Sequence, residues 1–251
     1  MTSFSRFSSL KLALLSAVAA PLIFAAVPVQ AQALTKDDVK GIVAEYLKEN
    51  PGAIVEALEA YRVQEEQKME KEAEAKLKQY APYFADKSHP SMGPADAKIT
   101  IVEFFDYNCG YCKRALPDIQ AALADNKDVR VVFQEMPILS PLSQSAAKYA
   151  LAAHKQGKYF DFHSALMKFE GNKTDEALTK IAGEVGLNVE QLKKDIASPE
   201  IQAQIEKSAE AAREIGIQGT PAFIVGDTLF RGYIGPDGMK KAIEDARKAP
   251  Q

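Results

Sequence analysis

Cysteine is scarce in this chain: two cysteines occur among 251 residues, and tryptophan is absent. So few thiols exclude a small scaffold held together by several disulfides. The three histidines, His89, His154 and His163, stand at no recognisable ligand spacing, and no second cysteine pair could complete a four-ligand zinc site. No glycine-rich phosphate loop occurs either. We therefore expect neither a resident metal nor an organic cofactor.

An excess of one charge is also lacking, since 31 basic residues face 34 acidic ones and the net charge is -3. Nucleic-acid-binding proteins need a clustered basic face, so no nucleic-acid partner is expected. The 47% hydrophobic and 26% charged residues are typical of an ordinary soluble protein. The length admits one full domain and a smaller attachment.

Long apolar runs are missing except at the start of the chain. There, a basic beginning is followed by the uncharged run Leu12–Val27 and then by small residues. This pattern predicts a signal peptide over residues 1–31, cleaved after Ala31 or Ala33. An uncleaved membrane anchor is the alternative, although the run is short for a span. We expect export to an oxidising compartment, the periplasm.

Residues 32–86 are predicted to be helical. Thr35 can cap a helix, and Asn50-Pro51-Gly52 ends it before a second helix begins. That second helix becomes almost wholly charged and keeps only a thin apolar stripe of Met69, Ala73 and Leu77. Such a stripe cannot form a core alone and needs a partner chain or another surface. We expect a homo-oligomer, dimer or trimer, through residues 35–80; a solvated helical linker is the alternative.

Residues 87–251 show the element order β-α-β, a helical block, then β-β-α. The strands are predicted at residues 99–105, 129–133, 222–225 and 229–233, and the helices at 113–124 and 239–248. Residues 142–215 are helical almost throughout, with breaks at glycines, asparagine and proline. Residues 86–96 have the composition of a linker. The order indicates an α/β domain with an inserted helical domain at about 142–215.

The sequence Cys109-Gly110-Tyr111-Cys112 directly follows the first long strand and opens the next helix. A helix N-terminus stabilises an anion, so Cys109 should ionise readily and act as a nucleophile. Cys112, one turn further on, should lie beneath it as a resolving thiol. A purely structural disulfide would close too short a loop to stabilise the chain much. Binding of copper(I) by two thiolates remains an alternative.

Two segments carry a resemblance to a known family. Residues 101–112, Ile-Val-Glu-Phe-Phe-Asp-Tyr-Asn-Cys-Gly-Tyr-Cys, resemble the active-site segment of the DsbA-like thioredoxin-fold family, and Gly219-Thr220-Pro221-Ala222-Phe223 resembles its cis-proline loop. The match covers residues 98–248 and includes the helical insertion. With the N-terminal helical segment added, the chain is most similar to the suppressor-of-copper-sensitivity C proteins of that family, some of which oligomerise through such a segment.

The resemblance implies roles for individual residues. Cys109 would be the nucleophile and Cys112 the resolving cysteine. Pro221 would be the cis-proline facing the pair, with Thr220 before it offering backbone groups to a bound peptide. Glu103 would be a buried acid that moves protons near the resolving thiol; a water-facing carboxylate at a strand edge is the alternative.

The dipeptide Gly110-Tyr111 matches dimeric disulfide isomerases and lacks the histidine of strongly oxidising members, so the nucleophile should be less acidic. The resemblance therefore favours a disulfide isomerase or reductase acting on exported proteins and kept reduced by a DsbD-like membrane reductase. The alternatives are a dithiol oxidase that introduces disulfides and a copper(I)-binding tolerance protein.

Overall fold

The computed structural model describes residues 33–249. The predicted signal peptide, residues 1–31, lies outside the described residues. No helix within residues 33–249 is long and apolar enough to cross a lipid bilayer. The chain divides into two compact units, with the division between Ala57 and Leu58.

In the first unit, helix α1 covers Lys36–Glu49. The Thr35 side chain accepts a hydrogen bond from the Asp38 backbone N–H, and the Asp38 carboxylate accepts one from the Thr35 N–H. This reciprocal capping box satisfies two N–H groups that the first helical turn would otherwise leave unpaired. The helix ends before Asn50-Pro51, as the sequence predicted. None of the α1 residues is buried.

Helix α2 covers Gly52–Ala85, and its C-terminal part belongs to the second unit. Ala73, Leu77, Tyr80 and Phe84 are buried there, and the last three join a core cluster with strand residues. The expected domain boundary between residues 86 and 87 therefore differs from the structure. The apolar stripe of Met69, Ala73 and Leu77 was expected to need a second surface. Ala73 and Leu77 are buried, and Leu77 packs against the chain's own sheet.

The sheet is five-stranded, in the order β1-β3-β2-β4-β5. The strands are β1 (Ser91–Met92), β2 (Ile99–Phe105), β3 (Val129–Glu135), β4 (Ala222–Val225) and β5 (Thr228–Arg231). Strands β2 and β3 run parallel, and the other pairs are antiparallel. A parallel pair needs a crossover connection, which helix α3 (Gly110–Asp125) supplies between β2 and β3.

The helical insertion contains α4 (Pro141–Lys155), α5 (Tyr159–Lys168), α6 (Asp175–Glu184), α7 (Val189–Asp195) and α8 (Pro199–Ile215), and α9 (Gly235–Lys248) follows the last strand. Alternate residues of a strand point to opposite faces of a sheet. Ile101 and Phe105 accordingly lie in the core with α3, α9 and the insertion, whereas Val102 and Phe104 pack against α2 and α8. The predicted α/β thioredoxin-like fold with a helical insertion and a preceding helical segment is confirmed.

Candidate active site

The loop between β2 and α3 places Cys109 at the helix N-cap. The buried Asp106 carboxylate holds this loop by accepting four hydrogen bonds: from the backbone N–H groups of Asn108, Ile138 and Leu139 at 2.7, 2.9 and 2.9 Å, and from Ser143 Oγ at 2.8 Å. A carboxylate that accepts several N–H bonds fixes its surroundings strongly. Asp106 thereby ties the cysteine loop to the segment that leads into α4.

The Cys109 thiol is strongly acidified. Its pKa falls from 9.0 to about 5, chiefly because the Cys112 thiol donates a hydrogen bond to the thiolate. The backbone N–H groups of Cys112 and Tyr111 also stabilise the anion, and partial burial opposes them. The N–H groups belong to the first turn of α3, where no intrahelical acceptor exists for them. Cys109 thus has the thiolate character that nucleophilic attack requires.

Cys112 has the opposite character. Its side chain is completely buried, and burial raises its pKa far above the ordinary value. The hydrogen bond to Cys109 and a negative charge on Glu103 raise it further. Both cysteines are free thiols in this structure. One thiol of the pair is therefore poised as an anion and the other as a proton donor.

The expected cis peptide bond is present between Thr220 and Pro221. The Thr220 carbonyl oxygen lies 3.2 Å from Cys109 Sγ, which donates to it when protonated. The structure thus brings the proline loop and the cysteine pair together, although more than a hundred residues separate them in the chain. Pro221 has no backbone N–H to donate to the thiol. The backbone group that contacts Cys109 Sγ at this loop is therefore the Thr220 carbonyl oxygen.

Glu103 lies on the same face of the sheet as Cys112, because it alternates with Val102 and Phe104, which face α2 and α8. Its side chain is only 1% exposed, and neither carboxyl oxygen has a hydrogen-bond partner. Burial, and secondarily the charge of Cys109, raises the pKa of Glu103 to about 8. The alternative of a water-facing carboxylate is therefore wrong.

A second buried acid was not identified from the sequence. Glu135, at the end of β3, accepts hydrogen bonds from Tyr159 at 2.9 Å and from Tyr107 at 3.2 Å. Tyr107 also contacts His163 Nδ1 at 3.1 Å. Burial raises the pKa of Glu135 and lowers that of His163 to about 3, so the imidazole is neutral at physiological pH. The hydroxyl groups of Tyr107 and Tyr159 thus meet at this carboxyl group, within a cluster of packed aromatic rings.

The surface around Cys109 is apolar and exposed. Tyr111, Ile138 and Leu139 are 57%, 48% and 53% exposed. Gly110 leaves the space beside it open, since no atom would lie within 4 Å of an added Cβ. Cys109 itself is only 7% exposed, so a partner sulfur has to approach across these side chains.

Metal ligands do not gather elsewhere in the described part of the chain. Residues 33–249 contain no group of three or more histidine, cysteine or acidic side chains that could hold an ion. The alternative of copper binding rests on the cysteine pair alone.

Comparison with known proteins identifies two families. Residues 100–244 match the family model of the DSBA-like thioredoxin domain, and residues 36–68 match that of the copper resistance protein ScsC N-terminal domain. Among curated relatives, a probable disulfide bond formation protein D of Bacillus cereus is 29% identical over 66% of this chain and 82% of its own length. A Na(+)/H(+) antiporter NhaA 3 of Salinispora tropica is 28% identical over 66% of this chain, which spans only 26% of the antiporter.

Solved structures agree with these matches. A thioredoxin-like oxidoreductase from Silicibacter pomeroyi is 43% identical, with a TM-score of 0.64 over 66% of this chain and 96% of that one. BcfH from Salmonella enterica Typhimurium is 30% identical, with a TM-score of 0.72 over 84% of this chain and 95% of that one. The family model for residues 100–244 covers more than half of the sequence. The chain therefore belongs to the DsbA-like thioredoxin family and carries an N-terminal domain of the ScsC type.

Proposed function

We propose that the protein is a thiol–disulfide oxidoreductase that acts on exported proteins, chiefly as a disulfide isomerase or reductase. The observation that carries this proposal is the acidified Cys109 thiol at the start of α3, beside the buried Cys112 and the Thr220–Pro221 loop. A low thiol pKa next to a second, protonated thiol is the arrangement that attacks a disulfide and then resolves the product.

The reaction begins when the Cys109 thiolate attacks one sulfur of a client disulfide. A mixed disulfide forms, and the other client sulfur leaves as a thiolate. In isomerisation, that client thiolate attacks another disulfide of the client, and the last exchange releases Cys109 with no net transfer of electrons. In reduction, Cys112 attacks the mixed disulfide, so the Cys109–Cys112 disulfide forms and the second client sulfur leaves as a thiolate.

Cys112 must lose its proton before it can attack. The proposal that the Glu103 carboxylate accepts this proton is supported by its burial on the same side of the sheet and by its charge interaction with Cys112. The negative charge of Cys109 contributes to the raised pKa of Glu103. That charge disappears when Cys109 enters a mixed disulfide, so the pKa of Glu103 falls at that moment and its carboxylate form becomes more abundant. Glu103 thus becomes a better base at the step where Cys112 needs one.

The proposed oligomer is supported by exposed apolar side chains on the N-terminal helices. Eleven residues between positions 34 and 69 are among the exposed large hydrophobic residues: Leu34, Val39, Ile42, Val43, Tyr46, Ile54, Val55, Leu58, Tyr61, Val63 and Met69. Apolar surface on this scale favours association. Several active sites in one particle would hold a misfolded client at high effective concentration, which favours repeated exchange.

A refolding assay with a client containing scrambled disulfides tests the isomerase proposal. The wild type should restore client activity, and Cys109→Ser should not. Ile42→Glu combined with Val43→Glu should reduce both the molar mass measured by light scattering and the isomerase rate, while reduction of a small disulfide persists. Ala44→Glu is the matched control, because Ala44 is exposed on the other side of α1. Full isomerase activity in a monomeric variant would contradict the oligomer's role.

A dithiol oxidase is the second candidate, and the pKa of about 5 at Cys109 favours it. A stabilised thiolate makes the corresponding disulfide more oxidising. The redox state of the pair, trapped by acid and alkylation in the producing cell, separates the two functions. A pair that is reduced in the cell, and becomes oxidised when a membrane reductase of the DsbD type is removed, supports the isomerase function, the periplasmic location and that reductase as the partner. A pair that is oxidised in the cell supports the oxidase function. Titration of the reduced protein with copper(I), repeated on Cys109→Ser, tests the copper-binding alternative.

A further inference from the structure

Arg114 lies beside the cysteine pair in a small cluster of aromatic rings. Its guanidinium carbon is 5.2 Å from the centre of the Tyr111 ring and 5.9 Å from that of the Tyr233 ring. The Tyr233 hydroxyl donates a hydrogen bond of 2.7 Å to Asp118, one turn further along α3. Asp118 therefore fixes one of the two rings that hold the guanidinium. We call Tyr111, Arg114 and Tyr233 the arginine clip.

Arg114 forms no salt bridge within the described residues. The salt-bridged arginines of residues 33–249 are Arg62 and Arg247, so no carboxylate oxygen lies within 4.0 Å of a guanidinium nitrogen of Arg114; the Asp118 carboxylate accepts a hydrogen bond from Tyr233 instead. Two further cations stand around the same loop. The Lys113 ammonium donates to the Phe169 carbonyl oxygen, and Lys173 donates to Asn108 Oδ1. Lys173 is buried, so the exposed Arg114 and the half-buried Lys113 bring the positive charge to the otherwise apolar surface beside Cys109.

A guanidinium stacked on aromatic faces keeps its N–H edge available for a planar, two-pronged acceptor such as a carboxylate. The stacking also restricts the side chain before any ligand arrives, which lowers the entropy cost of binding. Tyr111 lies between the two cysteines and is more than half exposed. Because this ring is exposed and only two residues from Cys109, it lies on the surface that a client segment approaches.

We propose that the arginine clip binds the side-chain carboxylate of an aspartate or glutamate that flanks the client cysteine, so that the enzyme exchanges disulfides fastest in acidic segments. This inference rests on the proposed oxidoreductase function and names its preferred substrate class. Arg114 is a specificity-determining residue, and the attack by Cys109 does not require it.

The test uses three peptide disulfides. They differ only in the residue type that flanks the cysteine, which is alanine in the first peptide, aspartate in the second and lysine in the third. We measure the rate at which each peptide oxidises the reduced full-length protein and divide it by the rate at which the same peptide oxidises dithiothreitol. Dithiothreitol is uncharged, so this division corrects for differences in the intrinsic reactivity of the peptide disulfides. The aspartate peptide should react about threefold faster than the lysine peptide by this measure, as an exposed ion pair implies. Arg114→Gln should abolish most of that preference, and added salt should weaken it.

Lys180→Gln is the matched control, because it removes one positive charge from an exposed position on α6 and should keep the wild-type preference. An equal preference in wild type and Arg114→Gln would overturn the inference. If the alanine peptide oxidises the wild type no faster than it oxidises Cys109→Ser, the proposed function fails instead.

Binding without chemistry tests the clip independently of that function. Peptides with serine in place of cysteine are titrated onto the protein, and the NMR signal of the Arg114 Nε–H group is followed. The aspartate peptide should shift this signal and the lysine peptide should not; no shift with the aspartate peptide would overturn the inference.

Discussion

Ionisation of Cys109 should make the stability of the reduced protein depend on pH in a measurable way. The pKa of this thiol is about 5 in the fold, against 9.0 for the unperturbed group. A difference of one pKa unit corresponds to about 1.4 kcal/mol. At pH 7, about two units above the folded pKa, the ionised thiol contributes on the order of 3 kcal/mol to the free energy of unfolding.

The direction follows from the lowered pKa. The contribution is complete above the unfolded pKa of about 9, is partly present at pH 7, and disappears as the pH falls through 5. Cys109→Ser removes the titrating group but keeps the fold and Glu103. The stability advantage of the reduced wild type over this variant should therefore shrink by about 3 kcal/mol between pH 7 and pH 4.

Urea unfolding of both reduced proteins at the two pH values measures this difference. The ultraviolet absorbance of the thiolate, followed against pH, checks the pKa directly, with Cys109→Ser as the blank. An advantage that stays constant to within about 1 kcal/mol, together with a thiolate signal that develops only near the pKa of a free thiol, would refute the reasoning about the N-cap and the Cys112 hydrogen bond.

Three further perturbations test other parts of the structure. Glu103→Gln should become more stable relative to wild type by about 4 kcal/mol between pH 4 and pH 8, measured by urea unfolding, because the pKa of Glu103 is raised to about 8 and the folded acid has to retain its proton; a pH-independent difference would contradict this. Leu77→Ala should lower the unfolding free energy by about 3 kcal/mol, while Lys71→Ala at an exposed position of the same helix should change it by less than about 0.5 kcal/mol; equal effects would show that Leu77 is not docked on the sheet. Asp106→Asn should cost at least about 2 kcal/mol in the same assay, because an amide offers only one acceptor oxygen to the four donors; a loss no larger than that of the exposed Asp125→Asn would contradict the anchoring role of Asp106.

The sequence predicted best those elements and sites that a short, continuous run of residues defines. The apolar runs at β2 and β3 and the breaks at glycine and proline located most elements to within a few residues. Strand β1 was missed because it has only two residues, Ser91–Met92, which pair with Val131 and Val132 through the backbone. Two residues carry no periodic pattern, and their surroundings have the composition of a linker.

The extent of the second unit could not be derived either. An amphipathic stripe shows that a helix face needs cover, but it does not identify what covers it. Leu77, Tyr80 and Phe84 pack on the chain's own sheet, while the exposed apolar residues before position 70 keep the expected oligomer as a proposal. The contact between Leu77 and the sheet is a tertiary one, which no local pattern encodes.

The cysteine pair and the proline loop were predictable because each has a recognisable local sequence. Glu135 was not, since its partners Tyr107 and Tyr159 come from two separate segments, the loop after β2 and helix α5. An acid at the end of a buried strand was the one signal in the sequence. A single sequence cannot show which distant hydroxyl groups surround such an acid.

These bonds to Glu135 also limit how freely the parts of this fold can be exchanged. Apolar packing tolerates substitution of one apolar side chain for another of similar volume. Hydrogen bonds, in contrast, require matched donors and acceptors at fixed distances. A helical insertion transplanted from a relative would bring its own residues to positions 159 and 163 but would meet the resident Glu135 and Tyr107. A successful chimera therefore has to carry all four positions together, even though two lie in the thioredoxin framework and two in the transplanted helices.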